Sequence, residues 1–446
     1  MTSRRGGNEI GPLAAGVDLG SSGIRLAVID AQGQVLSEQA TAYPSSFNNP
    51  SSWRQGMVAL TRALPAQLSQ RLGAISVDGT SGTLLACHSG GTPLGPALAY
   101  SLACPEQAGA LAALVPRGCA AASVSSSLAR ALRLLASPTG REAEAGTDPD
   151  LLLRHQADWL MGWLLGDWRW GEEGNNLRLG WDLRRQCWAG ELERQAWAAA
   201  LPEVVESGTV LGPLAPGCAA ELGLPGSCLV VAGSTDANAA VLAADPAPGD
   251  GITVLGTTLV LKQFVAEPIE GPGLSCHRLG GRWLVGGASN AGGGVLRQFF
   301  TEAELEQLSR QIDPSRPSGL HYRPLPAKGE RFPLDDPDLL PILEPRPVSD
   351  ALFLQGLLEG LARIEAQGWT RLAQLGAPPL QRVISLGGGA RNPQWRQLRQ
   401  QAIARPVLNR PGLSAAQGMA RLAQRALKAS APTPKMEEPD PESKSP

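Results

Sequence analysis

The sequence predicts an α/β protein built from two duplicated domains, and three observations lead there. A short apolar run, a glycine with two hydroxyl residues and a second apolar run occur within 16–30, and the pattern returns within 252–264. Between and beyond these copies, apolar runs of strand length alternate with stretches of helical spacing. A turn-rich stretch, Asp245-Pro-Ala-Pro-Gly-Asp-Gly251, divides the halves.

The elements follow in order. Gly16-Val-Asp-Leu-Gly-Ser-Ser-Gly-Ile-Arg-Leu-Ala-Val-Ile-Asp30 reads as a β-hairpin with a tight polar turn, as does Ile252-Thr-Val-Leu-Gly-Thr-Thr-Leu-Val-Leu-Lys-Gln-Phe264. Ala74-Ile-Ser-Val-Asp78 and Cys228-Leu-Val-Val-Ala232 read as buried strands. Residues 237–244 read as a helix with Thr235 or Asp236 at its N-cap. Residues 352–375 carry apolar side chains at helical spacing, and Arg382-Val-Ile-Ser-Leu386 is a strand entering a glycine turn. Proline-rich 313–348 is interleaved with Leu, Phe and Tyr and reads as an ordered loop. The expected divisions are a flexible N-terminus over 1–12, domains over 13–246 and 247–430, and a disordered tail over 431–446.

Of 446 residues, 43% are hydrophobic, enough for sizeable cores. Lys+Arg 39 against Asp+Glu 41 leaves a net charge of −2, with no basic footprint for nucleic acid or an anionic membrane. No run of 18 uncharged apolar residues spans a bilayer, and the N-terminus lacks the apolar core of a secretory signal. Seven cysteines, scattered at 87, 104, 119, 187, 218, 228 and 276 without a Cys-x-x-Cys, read as reduced thiols of a cytoplasmic protein. The four histidines form no close pair, which argues against an ordinary zinc site. A monomer or homodimer acting on small molecules is the expectation.

Three segments can carry chemistry. In Asp18-Leu-Gly-Ser-Ser-Gly23 the turn offers backbone N–H groups and the Ser21 and Ser22 hydroxyls to an anion, while Asp18 beside a phosphate makes sense with Mg²⁺. Read alone, the same residues also suit a plain hairpin. Ser385-Leu-Gly-Gly-Gly-Ala-Arg-Asn-Pro-Gln-Trp395 opens a strand into a glycine triplet, a place for a nucleotide or simply a tight turn. It lacks the Rossmann spacing, and no P-loop occurs. Gly233-Ser-Thr-Asp236 stands where a strand yields to a helix, facing a ligand crevice in α/β sheets. The helix end favours an ionised, weakly basic Asp236, adequate for phosphoryl transfer with late proton loss; a simple N-cap is the other reading. Seven of the eleven tryptophans lie between 159 and 197, with Trp159 and Trp163 on one helix face as core.

Taken together, these segments resemble the FGGY family of carbohydrate kinases, in order over about residues 14–427. Gly16 to Arg25 is similar to its first phosphate hairpin, Gly233 to Asp236 to its catalytic-aspartate motif and Leu255-Gly-Thr-Thr258 to its second hairpin. Gln156-Ala-Asp-Trp-Leu160, the 175–182 segment, Leu325-Pro326, Gly329 to Pro333, Leu358-Glu-Gly360, Gly387 to Trp395 and Arg405-Pro-Val407 are further landmarks. Asp78-Gly-Thr-Ser-Gly-Thr83 looks most like the D-ribulose kinase, xylulose kinase-like group. The resemblance implies two actin-like (ribonuclease H-like) ATPase domains about a cleft, the first binding sugar and the second ATP, with Mg²⁺. It implies Asp236 as general base on the sugar, with Asp18, Thr80 and Ser81 as further sugar contacts and Asp18 holding the metal through water. Ser21, Ser22, Gly23, Gly256, Thr257, Thr258, Gly388, Gly389, Asn392 and Trp395 are implied for ATP. The chain departs from the family at Tyr100-Ser-Leu-Ala-Cys104, where relatives carry an aspartate motif, and at Ser414, where they commonly carry Glu.

Overall fold

The computed structural model describes residues 11–137 and 150–430. Most of the stretch expected to form a flexible N-terminus, and the whole 431–446 tail, lie outside the described residues.

Two six-stranded mixed sheets form two lobes. The first runs, in spatial order, Val210–Pro213, Leu229–Thr235, Leu72–Gly79, Leu13–Leu19, Gly23–Ile29, Val35–Ala42. The second runs Leu274–Leu279, Arg282–Ser289, Leu259–Val265, Asp250–Leu255, Arg382–Leu386, Val407–Asn409. Without the outer strands Val210–Pro213 and Leu274–Leu279, the two sheets share one plan. Three antiparallel strands, led by the hairpins Leu13–Leu19/Gly23–Ile29 and Asp250–Leu255/Leu259–Val265, are extended by two parallel ones. The duplication read from two hairpins therefore extends to the whole topology.

Side-chain pattern explains the strands' places. Leu13–Leu19 and Leu72–Gly79 are buried along almost their full length, as central strands covered on both faces are. Val35–Ala42 alternates half-buried and exposed residues, which suits its edge position. The expected strands at 74–78, 228–232 and 382–386 and the helices at 237–244 and 352–375 occur as Leu72–Gly79, Leu229–Thr235, Arg382–Leu386, Asp236–Ala243 and Asp350–Gln374. The 313–348 stretch is ordered by isolated bridges, Arg323 with Ile342 and Glu330 with Asp336.

Between the sheets lie the helices Asp236–Ala243 and Ala415–Ser430. Their Ala239, Val241, Leu242, Met419, Ala420 and Ala423 form one core with Ala14 and Ile29 of the first sheet and Ile252, Ile384 and Leu386 of the second. The backbones approach closely: a Cβ on Gly418 would stand 1.9 Å from the Ala239 carbonyl oxygen. Ser414 caps the last helix, its Oγ accepting from the Gln417 amide at 3.2 Å. That helix follows the second sheet in sequence yet packs on the first.

Helices and short hairpins inserted between Leu72–Gly79 and Leu229–Thr235 add a separate core about Leu84, Leu128, Leu153 and Trp197. Trp159 and Trp163 are buried, as their spacing requires, and Trp181 stacks edge-on against Trp188 at 5.4 Å. All seven cysteines are unpaired thiols. Among the described residues no helix is long and apolar enough to cross a membrane.

Candidate active site

Three neighbouring strands of the first sheet run parallel and finish together. Asp18 lies in register with Asp78, and Asp78 with Ser234, two residues before Asp236. Parallel pairing thus brings three carboxylates, far apart in sequence, to the carboxyl edge of one sheet, where α/β folds bind ligands. Asp78 is fully buried, and neither oxygen receives a bond from an amide or hydroxyl. Burial, reinforced by Asp18 and Asp236, holds its carboxyl well above the usual range.

Asp236 opens its helix, with Oδ1 accepting the Ala237 amide at 2.7 Å. The helix end was expected to keep this acid weakly basic. The structure corrects that: burial raises its pKa, with Asp18 adding to the rise, and the Ala237 and Ser81 amides and Lys262 offset it only in part. Desolvation wins because the half-buried carboxylate loses water on several sides while the short helix supplies few dipoles. Asp18 is raised for the same leading reason, with a hydrogen bond to the Asp78 carboxyl and then Arg25 opposing.

Around the acids, Tyr43 donates its hydroxyl to the Gly20 carbonyl at 2.6 Å and so fixes the first hairpin turn. Ser21 and Ser22 stand exposed on that turn, whereas Gly23 already belongs to the next strand. Thr80 does not present its hydroxyl to a ligand as expected. At 4% exposure it donates to Gln156 Oε1 at 2.8 Å and lies 2.6 Å from Thr83 Oγ1. Thr80 therefore shapes the turn, and Ser81 beside it is half-buried.

In the second lobe Thr257 is exposed at the hairpin turn, between Gly256 and Thr258. The turn rests on a glycine run, the Gly293 and Gly294 amides donating to the Gly256 and Thr257 carbonyls at 2.9 Å each. Arg297 Nη2 donates to Thr257 Oγ1 at 2.8 Å. The Gly388–Arg391 turn follows Arg382–Leu386 and keeps Gly388 exposed. Asn392 and Trp395, expected beside a nucleotide, are engaged within the protein next to this turn. Asn392 caps the next helix through the Trp395 amide at 2.9 Å and donates to Ser309 Oγ at 2.8 Å. The Trp395 ring is 2% exposed, and a Cβ on Gly389 would meet it at 2.5 Å. The backbone must come that close to the ring for the turn to form.

Sequence reasoning gave no individual role to Asp78, Tyr43, Gln156, Lys262 or Arg297, although Asp78 and Gln156 stood in motifs it singled out. Asp78 also carried a local signal, an acid ending an apolar run just as Asp18 does. The other four acquire their roles from strands and helices remote in sequence.

The donor set suits Mg²⁺. The buried Asp78 and the half-buried Asp18 and Asp236 crowd one edge, and the Asp78 oxygens take no bond from an amide or hydroxyl. Among the described residues no group of three His, Cys, Asp or Glu side chains is arranged to hold a metal directly. A hard cation held by Asp18 through water, with substrate oxygens completing its shell, fits both facts.

The two lobes and the paired sheets define an α/β protein with the actin-like, ribonuclease H-like fold. Residues 251–427 match the FGGY family of carbohydrate kinases, C-terminal domain. The structure resembles that of glycerol kinase from Plasmodium falciparum with ADP (TM-score 0.79, 14% identity, 94% of this chain and 90% of that one). It also resembles xylulose kinase from Rhodospirillum rubrum (TM-score 0.76, 22% identity, 92% and 89%). A curated relative of Bacillus subtilis (strain 168), named "Putative sugar kinase YoaC", is 26% identical over 289 residues, 60% of this chain. The match spans 58% of that relative's length.

Proposed function

We propose that the protein is an ATP-dependent sugar kinase of FGGY type, with residues 13–246 binding the acceptor and 247–430 binding ATP. Its acceptor is a ketopentose, D-ribulose first, giving D-ribulose 5-phosphate. One observation carries the reading: parallel strand pairing brings Asp18 and Asp236 to one carboxyl edge beside the Ser21 and Ser22 turn, with Asp236 on a helix packed between the lobes. The FGGY domain supports the reaction class, and the relatives named for a sugar, xylulose and glycerol support a polyhydroxylated acceptor. The choice of D-ribulose rests on Asp78-Gly-Thr-Ser-Gly-Thr83.

Asp236 removes the proton from the attacking sugar hydroxyl as its oxygen bonds to the γ-phosphorus and the bond to the β-phosphate oxygen breaks, releasing ADP. A pKa raised by burial strengthens this base, and the loose transition state lets the proton leave late. Ser81 and Asp18 orient the sugar. The turns at Ser21–Ser22–Gly23 and Gly256–Thr257–Thr258 offer amides and hydroxyls to the phosphates, and the Gly388 and Gly389 backbone receives the adenosine. Mg²⁺, when bound, supplies charge neutralisation on the phosphates. Closure of the lobes on the bound substrates excludes water that would compete for the phosphoryl group.

ADP release measured across D-ribulose, D-xylulose, glycerol and gluconate tests the proposal. The highest kcat/KM is expected with D-ribulose; an absence of acceptor-dependent ADP would overturn the kinase reading, and preference for another acceptor would overturn the D-ribulose assignment.

A further inference from the structure

Lys262 is an unusual residue for its position. It lies within Leu259–Val265 of the second sheet, in register with Ile252 and Gly286, and is 7% exposed. Its stem needs the space left by its neighbour, since a Cβ on Gly286 would stand 3.0 Å from Lys262 Cγ. Its ammonium crosses to the other lobe and donates to the Ala237 carbonyl at 3.0 Å and to Asn238 Oδ1 at 2.8 Å. Both acceptors lie in the first turn of the helix that Asp236 begins.

A cation is costly there. The helix N-terminus repels it, and two neutral acceptors do not repay the lost hydration of an ammonium with three donors. Burial pushes its pKa down to about 8, and the one charge opposing that fall is Asp236. The nearby His277 imidazole is pushed down to about 3 by burial and by Lys262, so it adds no rival charge. A role limited to packing would be met by methionine, without the charge.

We propose that Lys262 is a positioning residue for Asp236: it reaches from the second lobe to grip the first turn of the base-bearing helix, holding the carboxylate in register with the phosphate hairpin at 256–258. Closure of the lobes and readiness of the base thereby become one event. The proposal rests on the kinase reading for its catalytic part, but the grip itself is a property of the unliganded protein.

The test compares the full-length wild type with Lys262→Met and Lys262→Arg. Lys262→Met is expected to lower kcat by about 10- to 100-fold while KM for ATP stays within about threefold. Loss of the cation raises the Asp236 pKa, so the acidic limb of kcat moves to higher pH. Lys262→Arg restores part of kcat and returns the limb towards the wild-type position. Hydrogen exchange in Asp236–Ala243 rises in Lys262→Met, a readout independent of turnover. Should Lys262→Met fail to fold, Lys262→Gln, which keeps a donor without charge, carries the same expectations. Wild-type kcat with an unmoved limb, or a loss that Lys262→Arg does not relieve at all, overturns the proposal, as does unchanged exchange. A wild type with no acceptor-dependent ADP refutes the kinase reading instead, and the exchange comparison still decides the grip.

Discussion

Arg399 and Glu365 form a two-pronged ion pair with no solvent contact at the centre of the second lobe. The Glu365 carboxylate also accepts from Thr253 Oγ1 at 2.5 Å, and Arg399 Nη1 donates to Ser385 Oγ at 2.8 Å. One pair thus joins two helices to two strands, directly beneath the hairpin and the glycine turn of the candidate nucleotide site.

Removing one partner should be severe. Arg399→Met leaves a buried carboxylate with two fewer donors and is expected to cost about 3–5 kcal/mol. Replacing both partners, in Glu365→Met/Arg399→Met, should recover much of that loss, because no uncompensated charge remains. Urea unfolding of the three proteins measures both effects, and an additive double variant would contradict the account.

Asp236→Asn removes the base while keeping shape. Turnover should fall roughly 10²- to 10⁴-fold with ATP binding retained, as read by steady-state kinetics and calorimetry. In the wild type, kcat should rise with pH through a value above the ordinary aspartate range, because the base works ionised and burial raises its pKa. A limb at or below the ordinary range would refute the electrostatic reading.

Glu173 adds a pH-dependent term to stability. Its side chain is 1% exposed with Arg278 Nη1 3.9 Å away, and burial raises its pKa to about 7. The folded state therefore binds this proton more tightly than the unfolded one. The resulting stability is fully present below about pH 4.5 and is lost as pH rises through about 7. Glu173→Gln should lack this decline, differing from wild type by roughly 2–3 kcal/mol between the ends of that window. Parallel stability curves for the two proteins would exclude the effect.

The helix pair between the lobes tolerates no added atom at its crossing. Gly418→Ala puts a methyl against the Ala239 carbonyl and should cost about 1–3 kcal/mol or more, seen as a lowered thermal midpoint. An unchanged midpoint would mean the helices can part without penalty.

Alternation of apolar runs and turn residues made the strands, the two hairpins and the duplication legible in sequence, since each depends on neighbours within about ten positions. The exposed Ser21, Ser22 and Thr257 were legible for the same reason, a polar turn announcing itself. Thr80, Asn392 and Trp395 were identified by position in motifs, but what each side chain touches is set by partners such as Gln156, Ser309 and Gly389. No local pattern encodes those partners.

By itself, then, the sequence determined the class of fold, its repetition, and the acids and glycine turns that chemistry could use. Only the tertiary structure decided which acids meet, that burial outweighs the helix end at Asp236, and that a lysine from the far lobe reaches the helix beside it. The physical reason is that strand patterning is local, whereas desolvation and charge depend on everything within a few ångströms, and that neighbourhood exists only once the chain has folded.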